Sequence, residues 1–418
     1  MKDEKTWDWQ TEKKEIPVNE WKDRFNWVEE FHVSPDGEKI AAIVNSDEAE
    51  FTVCVNGEAW EETLEKAWSL RFLPDGRLAA FAANDEEWTV CVDGTSWEEK
   101  FDYIWDLKCS SDGSFIGAAV QLEGQYGMVV NDKTWETLYE SIAGTALNDN
   151  GTSAGVVQVL PMGQGDIDGF RDGLFSVAVN SVAQPEIFMN IWDLSFAGKS
   201  DKIAGALRKN RIDYSILNNG QAWNKNFQFS WKPEYVDNGK ALVAPVREGG
   251  KWFLFKDEVP FWKNSYGQLW KLAVHNDGEK IAAIVSDSYG QWTVSEDDKT
   301  WTTHCDTMIT DLFYSDSGNS LVGIFKYKDY FDVAVNSKPW NIRADKLWNP
   351  VISQDDKVIA ARMEKEGKFY LIVNGRVYKE AYDMVFEPEI SPDNDKILLK
   401  TIKNGIYTRQ ILALDNVL

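Results

Sequence analysis

Histidine is nearly absent from this 418-residue chain, cysteine is sparse, and no apolar run approaches the roughly 18 residues of a membrane span. The four cysteines, Cys54, Cys91, Cys109 and Cys305, show none of the paired spacings that hold zinc, an iron–sulfur cluster or c-type haem, so no cofactor is expected. Cys54 and Cys91 alternate with valines in the matching stretches FTVCVNG and WTVCVDG, as small buried residues do. The histidines, His32, His275 and His304, stand at unmatched places, and neither a Gly-x-Ser-x-Gly elbow nor a phosphate-binding P-loop is present. A non-catalytic protein is the expectation. Positive charge is short as well: 44 Lys and Arg against 68 Asp and Glu leave a net charge of −24. Such a surface repels nucleic acid and anionic lipid. The opening MKDEKTWDWQ is polar where a secretion signal needs an apolar core, and the expected location is the cytoplasm.

Tryptophan, by contrast, is abundant, with 20 residues, and it recurs in register. The stretch EEWTVCVDGTSWEE (86–99) returns about every 38 to 40 residues, the length of a four-stranded propeller blade. Residues matching Trp88 are Phe51, Tyr126, Phe175, Tyr214, Trp252, Trp292, Phe331, Phe369 and Tyr407. Nine or ten residues later stand Trp60, Trp97, Trp135, Trp223, Trp262, Trp301, Trp340 and Tyr378, with Gln184 the exception. Eight further on are Trp68, Trp105, Trp192, Trp231, Trp270, Ile309, Trp348 and Phe386, with Ala143 the exception and Trp27 assigned near this position at the start of the chain. Turns such as SPDG (34–37), LPDG (73–76) and HNDG (275–278) follow, then apolar strands such as KIAAIV, and Asn-Gly or Asp-Gly hairpins into a fourth strand. A lone four-stranded meander cannot cover its two faces. Each buried indole removes on the order of 200 Å² from water, at most about 5 kcal/mol at ~25 cal/mol/Å², so the tryptophans are expected to be wedges between blades.

The expected fold is therefore an all-β propeller of about ten four-stranded, WD40-like units spanning residues 1–418. The tenth unit lacks a fourth strand, and residues 14–25, with Trp21, are expected to complete it and close one ring; two smaller propellers are the alternative. One insertion breaks the lattice, LPMGQGDIDGFRDGL at 160–174. Its Asp166, Asp168 and Asp172 resemble a calcium loop, but counting from Asp166 puts Arg171 and Val177 where the required Gly and Glu should stand. A docking element carrying Asp166, Asp168, Phe170 and Arg171 is expected instead, with Trp7 and Trp9, which fall outside the repeat, as further partner-interface residues. The 68 carboxylates keep a free-standing glycan hydrolase or lyase as an alternative, and a generic peptide-binding propeller as another.

The combination of SPDG…IAA…WTVCV(N/D)G…W units, acidity, size and tryptophan content resembles the TmcD family, the Trp-rich cytoplasmic subunits of the Tmc transmembrane electron-transfer complex of sulfate-reducing bacteria. Similar repeats occur in WD40-like and TolB-like propellers. The resemblance covers nearly the whole chain. It implies an accessory or scaffold role at the inner membrane, beside a cytoplasmic iron–sulfur subunit related to heterodisulfide reductase, a membrane cytochrome b and a periplasmic tetrahaem cytochrome c.

Overall fold

The computed structural model describes residues 6–163, 165–275 and 278–417; Asn276 and Asp277 of the HNDG turn lie outside the described residues. The chain is all-β and forms ten antiparallel propeller-type blades. Blade 2 shows the pattern: Lys66–Phe72, Leu78–Asn84, Glu87–Val92 and Thr95–Ser96 pair in sequence order. The first turn closes when Gly76, at φ 85°, donates its N–H to the Leu73 carbonyl at 2.9 Å. The hairpin closes on Asp93 and Gly94, both in the left-handed region. The second strand, LAAFAAN, is buried on both faces up to its last residue, which explains its continuous apolar run. In blades 1, 6, 9 and 10 the first strand is broken into two short pieces.

Within each unit, successive blades share their cores. Ala41, Ile43 and Val53 of blade 1 pack with Leu78 and Ala80 of blade 2. Val243 and Trp252 of blade 6 pack with Ile281 and Val285 of blade 7. The chain divides into two compact units, residues 1–100 with 324–418, and residues 101–323, the divisions falling between blades 2 and 3 and within the second strand of blade 8.

In the first unit, Lys13–Pro17 lies antiparallel on Ile406–Ala413 as the outer strand of blade 10, with Ile16 opposite Tyr407. Trp21 is not in that strand. It opens a short helix, Trp21–Arg24, and is buried with Val18 against Ile40, Phe386 and Tyr407. Trp27 also departs from the expected register: it pairs with Asn45 as Lys66 pairs with Ala83, so Glu29 occupies the place held by Trp68 in blade 2.

Candidate functional site

The aromatic side chains fall into two classes with different work. Within each unit, those that follow the fourth strand reach across to the next blade. The Trp60 ring lies 3.1 Å from where a Cβ on Gly94 would stand, and Trp340 lies at the same distance from Gly375. Gln184, the break in the series, takes the corresponding place over Gly220. Where the second hairpin residue is not glycine, its side chain clamps the backbone beyond the preceding blade's indole. The Glu258 carboxylate accepts N–H bonds from Asn224 and Lys225 at 3.0 and 3.1 Å, and Asp298 accepts from Lys263 at 2.8 Å.

A second clamp holds the indoles of blades 1, 2, 5 and 7 from their own blade. Thr52 donates its hydroxyl to the carbonyls of Trp60 and Glu62 at 3.2 and 3.0 Å, and Ser215 and Thr293 do the same to Trp223 and Trp301. Blade 8 has Asp332 at this position, and an ionised carboxylate cannot donate. The chain responds by reversing polarity: Asn341 and Arg343 adopt φ of 61° and 53°, and Asp332 accepts the N–H groups of Asn341 and Ile342 at 2.9 and 3.2 Å. Burial pushes the Asp332 carboxyl above its ordinary range, against the pull of these N–H donors.

The first-strand aromatics wedge between blades only in part: Phe386 packs against Ile40 of blade 1 and Trp192 meets Phe229 of blade 6 at 6.0 Å, but others lie largely on their own blade. Trp68 and Trp231 are 38% and 36% exposed, and each of these rings packs on the third strand of its own blade. Trp231 stacks on Trp252 at 5.7 Å and 8°, Trp105 meets Tyr126 at 6.1 Å, and Trp192 meets Tyr214 at 5.9 Å. The next residue enters the left-handed region in several blades, at Ser69, Asp106, Asp193 and Lys271, and the register shifts there. In the second unit this places charge on the first strands: Lys271 pairs with Asp311 at 2.5 Å, and burial raises the Asp193 carboxyl while Lys232 opposes it. In the first unit Arg362 lies 4.6 Å over Trp348, donates to the Val385 carbonyl at 2.8 Å, and is attended by Glu387 and Glu30.

The 160–174 insertion of blade 4 carries a short helix, Ile167–Asp172, capped where Asp166 accepts the Gly169 N–H at 2.8 Å. Asp168 pairs with Arg171 at 3.0 Å on the surface. Both carboxylates thus have protein partners, and among the described residues no group of His, Cys, Asp or Glu is arranged to hold a metal ion. Leu160, Met162, Ile167 and Phe170 are exposed at 44%, 50%, 62% and 37%. Sequence reasoning singled out Phe170 but missed the other three, whose signal was apolar residues in a loop too long for a hairpin. Trp7 and Trp9 stack at 6.3 Å, but Trp9 is buried, with its carbonyl taking the Lys396 ammonium at 3.3 Å. Trp7 is half-buried, and the pair lines a small cleft with Ser391, Pro392 and Asp393. These residues hold the N-terminal segment on blade 10. They belong to the first unit and the insertion to the second.

No protein-family model matches the chain, and no curated protein matches it. Among solved structures it is similar to one described as the crystal structure of the eukaryotic initiation factor, at 12% identity and TM-score 0.44, covering 85% of this chain and 89% of that one. It is also similar to the Dos1 propeller, at 11% identity and TM-score 0.34 over 91% and 92% of the chains. A third is Kuenenia stuttgartiensis hydrazine synthase, at 11% identity and TM-score 0.30 over 74% and 95%. Among the described residues no helix is long and apolar enough to cross a membrane.

Proposed function

We propose that this chain is a non-catalytic interaction scaffold that docks a protein partner through the blade 4 insertion. The observation that carries this reading is the set of four exposed apolar side chains, Leu160, Met162, Ile167 and Phe170, gathered on the one element that interrupts the blade lattice. Folding does not require them there, since the other blades join their second and third strands by short loops. The neighbouring Asp166 and Asp168 favour a partner groove that is apolar at its centre and basic at its rim. The resemblance to the TmcD family suggests which partner: a cytoplasmic iron–sulfur subunit related to heterodisulfide reductase, within a complex that also holds a membrane cytochrome b and a periplasmic tetrahaem cytochrome c.

Purification of the tagged chain from its native host tests both levels. The expected result is co-purification of an iron–sulfur protein, lost in an Ile167→Asp, Phe170→Ala double variant whose thermal midpoint is unchanged. An intact complex in that variant would remove the insertion from the interface. A wild-type chain that emerges alone would remove the scaffold reading.

A further inference from the structure

Blades 5 and 6, both in the second unit, leave a cleft of about 390 Å³ between them. Its walls are the Lys202 end of the first turn of blade 5, the hairpin 218–221 of the same blade, and Tyr235 and Lys240 around the first turn of blade 6. Lys202, Asn218, Asn219, Gln221, Tyr235 and Lys240 line it, and among the described residues no carboxylate does, on a chain with 68 of them. The flanking acids are engaged elsewhere. Asp201 accepts from Thr152 at 2.5 Å, Asp237 pairs with Lys256 at 2.6 Å, and Glu186 accepts the Ala222 N–H at 3.1 Å.

The amides are arranged as donors. Tyr235 donates its hydroxyl to Asn218 Oδ1 at 3.0 Å, which occupies the acceptor end of that amide and leaves its NH₂ group for the cleft. Asn219 departs from the rest of the molecule. In seven other blades the first hairpin residue accepts the N–H that opens the second strand, as Asn56 does from Ile40 at 2.8 Å and Asp257 from Leu242 at 2.9 Å. Among the described residues Asn219 makes no such bond, and its side chain lines the cleft instead. Lys202 has its ammonium 3.2 Å from the Gly239 carbonyl, so one of its three N–H groups is used and two remain.

We propose that this cleft binds a tetrahedral oxyanion, inorganic phosphate or the phosphate of a small monoester, with Lys202 and Lys240 supplying charge and the Asn218, Asn219 and Gln221 amides supplying N–H donors. The donors come from two blades and three chain segments, a spread suited to four oxygens rather than to the two of a flat carboxylate. The acidic remainder of the chain disfavours any anion that is not locally compensated, so the cleft selects a small ligand over a polyanion.

Calorimetric titration of the full chain at low salt tests this with three probes: inorganic phosphate, glycerol phosphate and acetate. Binding of either phosphate is expected, with acetate at least tenfold weaker; free phosphate and monoester are separated by which binds more tightly. Lys240→Ala should lower phosphate affinity at least tenfold. Asn218→Asp keeps the acceptor for Tyr235 but turns a donor into a negative charge, and should abolish binding. Lys365→Ala, on blade 9, is the control and should change nothing, and unchanged thermal midpoints establish that the variants are folded. Absence of heat with both phosphates, equal affinity for acetate, or full binding by the Lys240 and Asn218 variants would each overturn the site.

Discussion

Gly94 and Gly76 share nearly the same backbone, φ 80° and 85°, but not the same surroundings. An added Cβ at Gly76 meets nothing within 4 Å, whereas at Gly94 it meets the Trp60 ring at 3.1 Å. Alanine at Gly76 should therefore cost only the left-handed penalty, about 1 kcal/mol, while Gly94→Ala should cost measurably more because the indole must also give way. Urea midpoints of the two variants measure the difference, and equal values would mean that the indole does not rest on the hairpin. Asp332 offers a second contrast. Asp332→Thr gives the residue type of blades 1, 2 and 7 but faces N–H groups arranged for an acceptor with two oxygens, and a loss of about 1–2 kcal/mol is expected. Should that variant prove more stable than the parent, the reversed clamp would be a burden and not an adaptation. The thiols are a third case: burial pushes Cys54 and Cys91 up to about 11 and about 12. In the native protein at neutral pH both should resist thiol reagents that the partly exposed Cys109 admits, and all four cysteines should react once the chain is unfolded.

The N-terminal strand is held by more than its ladder to blade 10. Arg409, buried on the last strand, donates to the carbonyls of Asp8, Thr11 and Asp36 and pairs with Glu38 at 3.0 Å. Lys14 reaches both Asp8 and Glu38, and the Tyr407 hydroxyl donates to the Gly37 carbonyl at 2.7 Å. One guanidinium thus joins three chain segments: the N-terminal tail, the first turn of blade 1 and the last strand. Arg409→Met retains much of the volume but orphans these acceptors, and should cost about 3 kcal/mol and expose residues 6–17 to protease before the rest of the chain. Simultaneous loss of all blades would show instead that the tail is not a separable latch. That the N-terminal segment completes the last blade was legible from the missing fourth strand, although residues 14–25 were expected and the strand is Lys13–Pro17 without Trp21; ten units, their turns and the aromatic positions were legible too, because each is a short-range or periodic signal. The latch was not legible. Arg409 and Asp8 are far apart in sequence, and nothing local marks an arginine as buried. The clamp from Glu258 to Asn224 spans about one repeat and shows in sequence only as a hairpin without glycine. The first-strand indoles were partly misread for a related reason: spacing fixes which face of a strand a ring takes, but not whether the neighbouring blade covers it.

At the scale of the whole molecule, pH acts on groups spread over many blades, and their signs can be worked out. Hydrogen bonds from neighbouring turn residues hold Asp355 down at about 2, with Ser353 the leading donor, against an ordinary 3.8. Asp8, led by Thr11, Asp112, led by Ser110, and Asp383, led by Lys368, are held below the same value. A depressed carboxyl contributes stability above its unfolded pKa, and that contribution is lost as pH falls through the folded value, so these turns weaken from about pH 4 downward. Asp332 and Asp193 are raised by burial and oppose this trend, each favouring the fold only while protonated. Tyrosine sets the alkaline limit. Burial pushes Tyr235 and Tyr266 from 10.0 up to about 12, and Tyr314, Tyr382 and Tyr407 are raised in the same direction. The unfolded chain releases these protons near pH 10 while the folded chain still holds them, so the stability they contribute is complete below about pH 10 and is lost as pH rises toward 12. Tyrosinate absorbance should accordingly rise in two stages, exposed residues first and the buried set together with unfolding, and the thermal midpoint should fall across the same interval. A single ionisation step near pH 10 with an unchanged midpoint would mean that these hydroxyls are not enclosed between the blades.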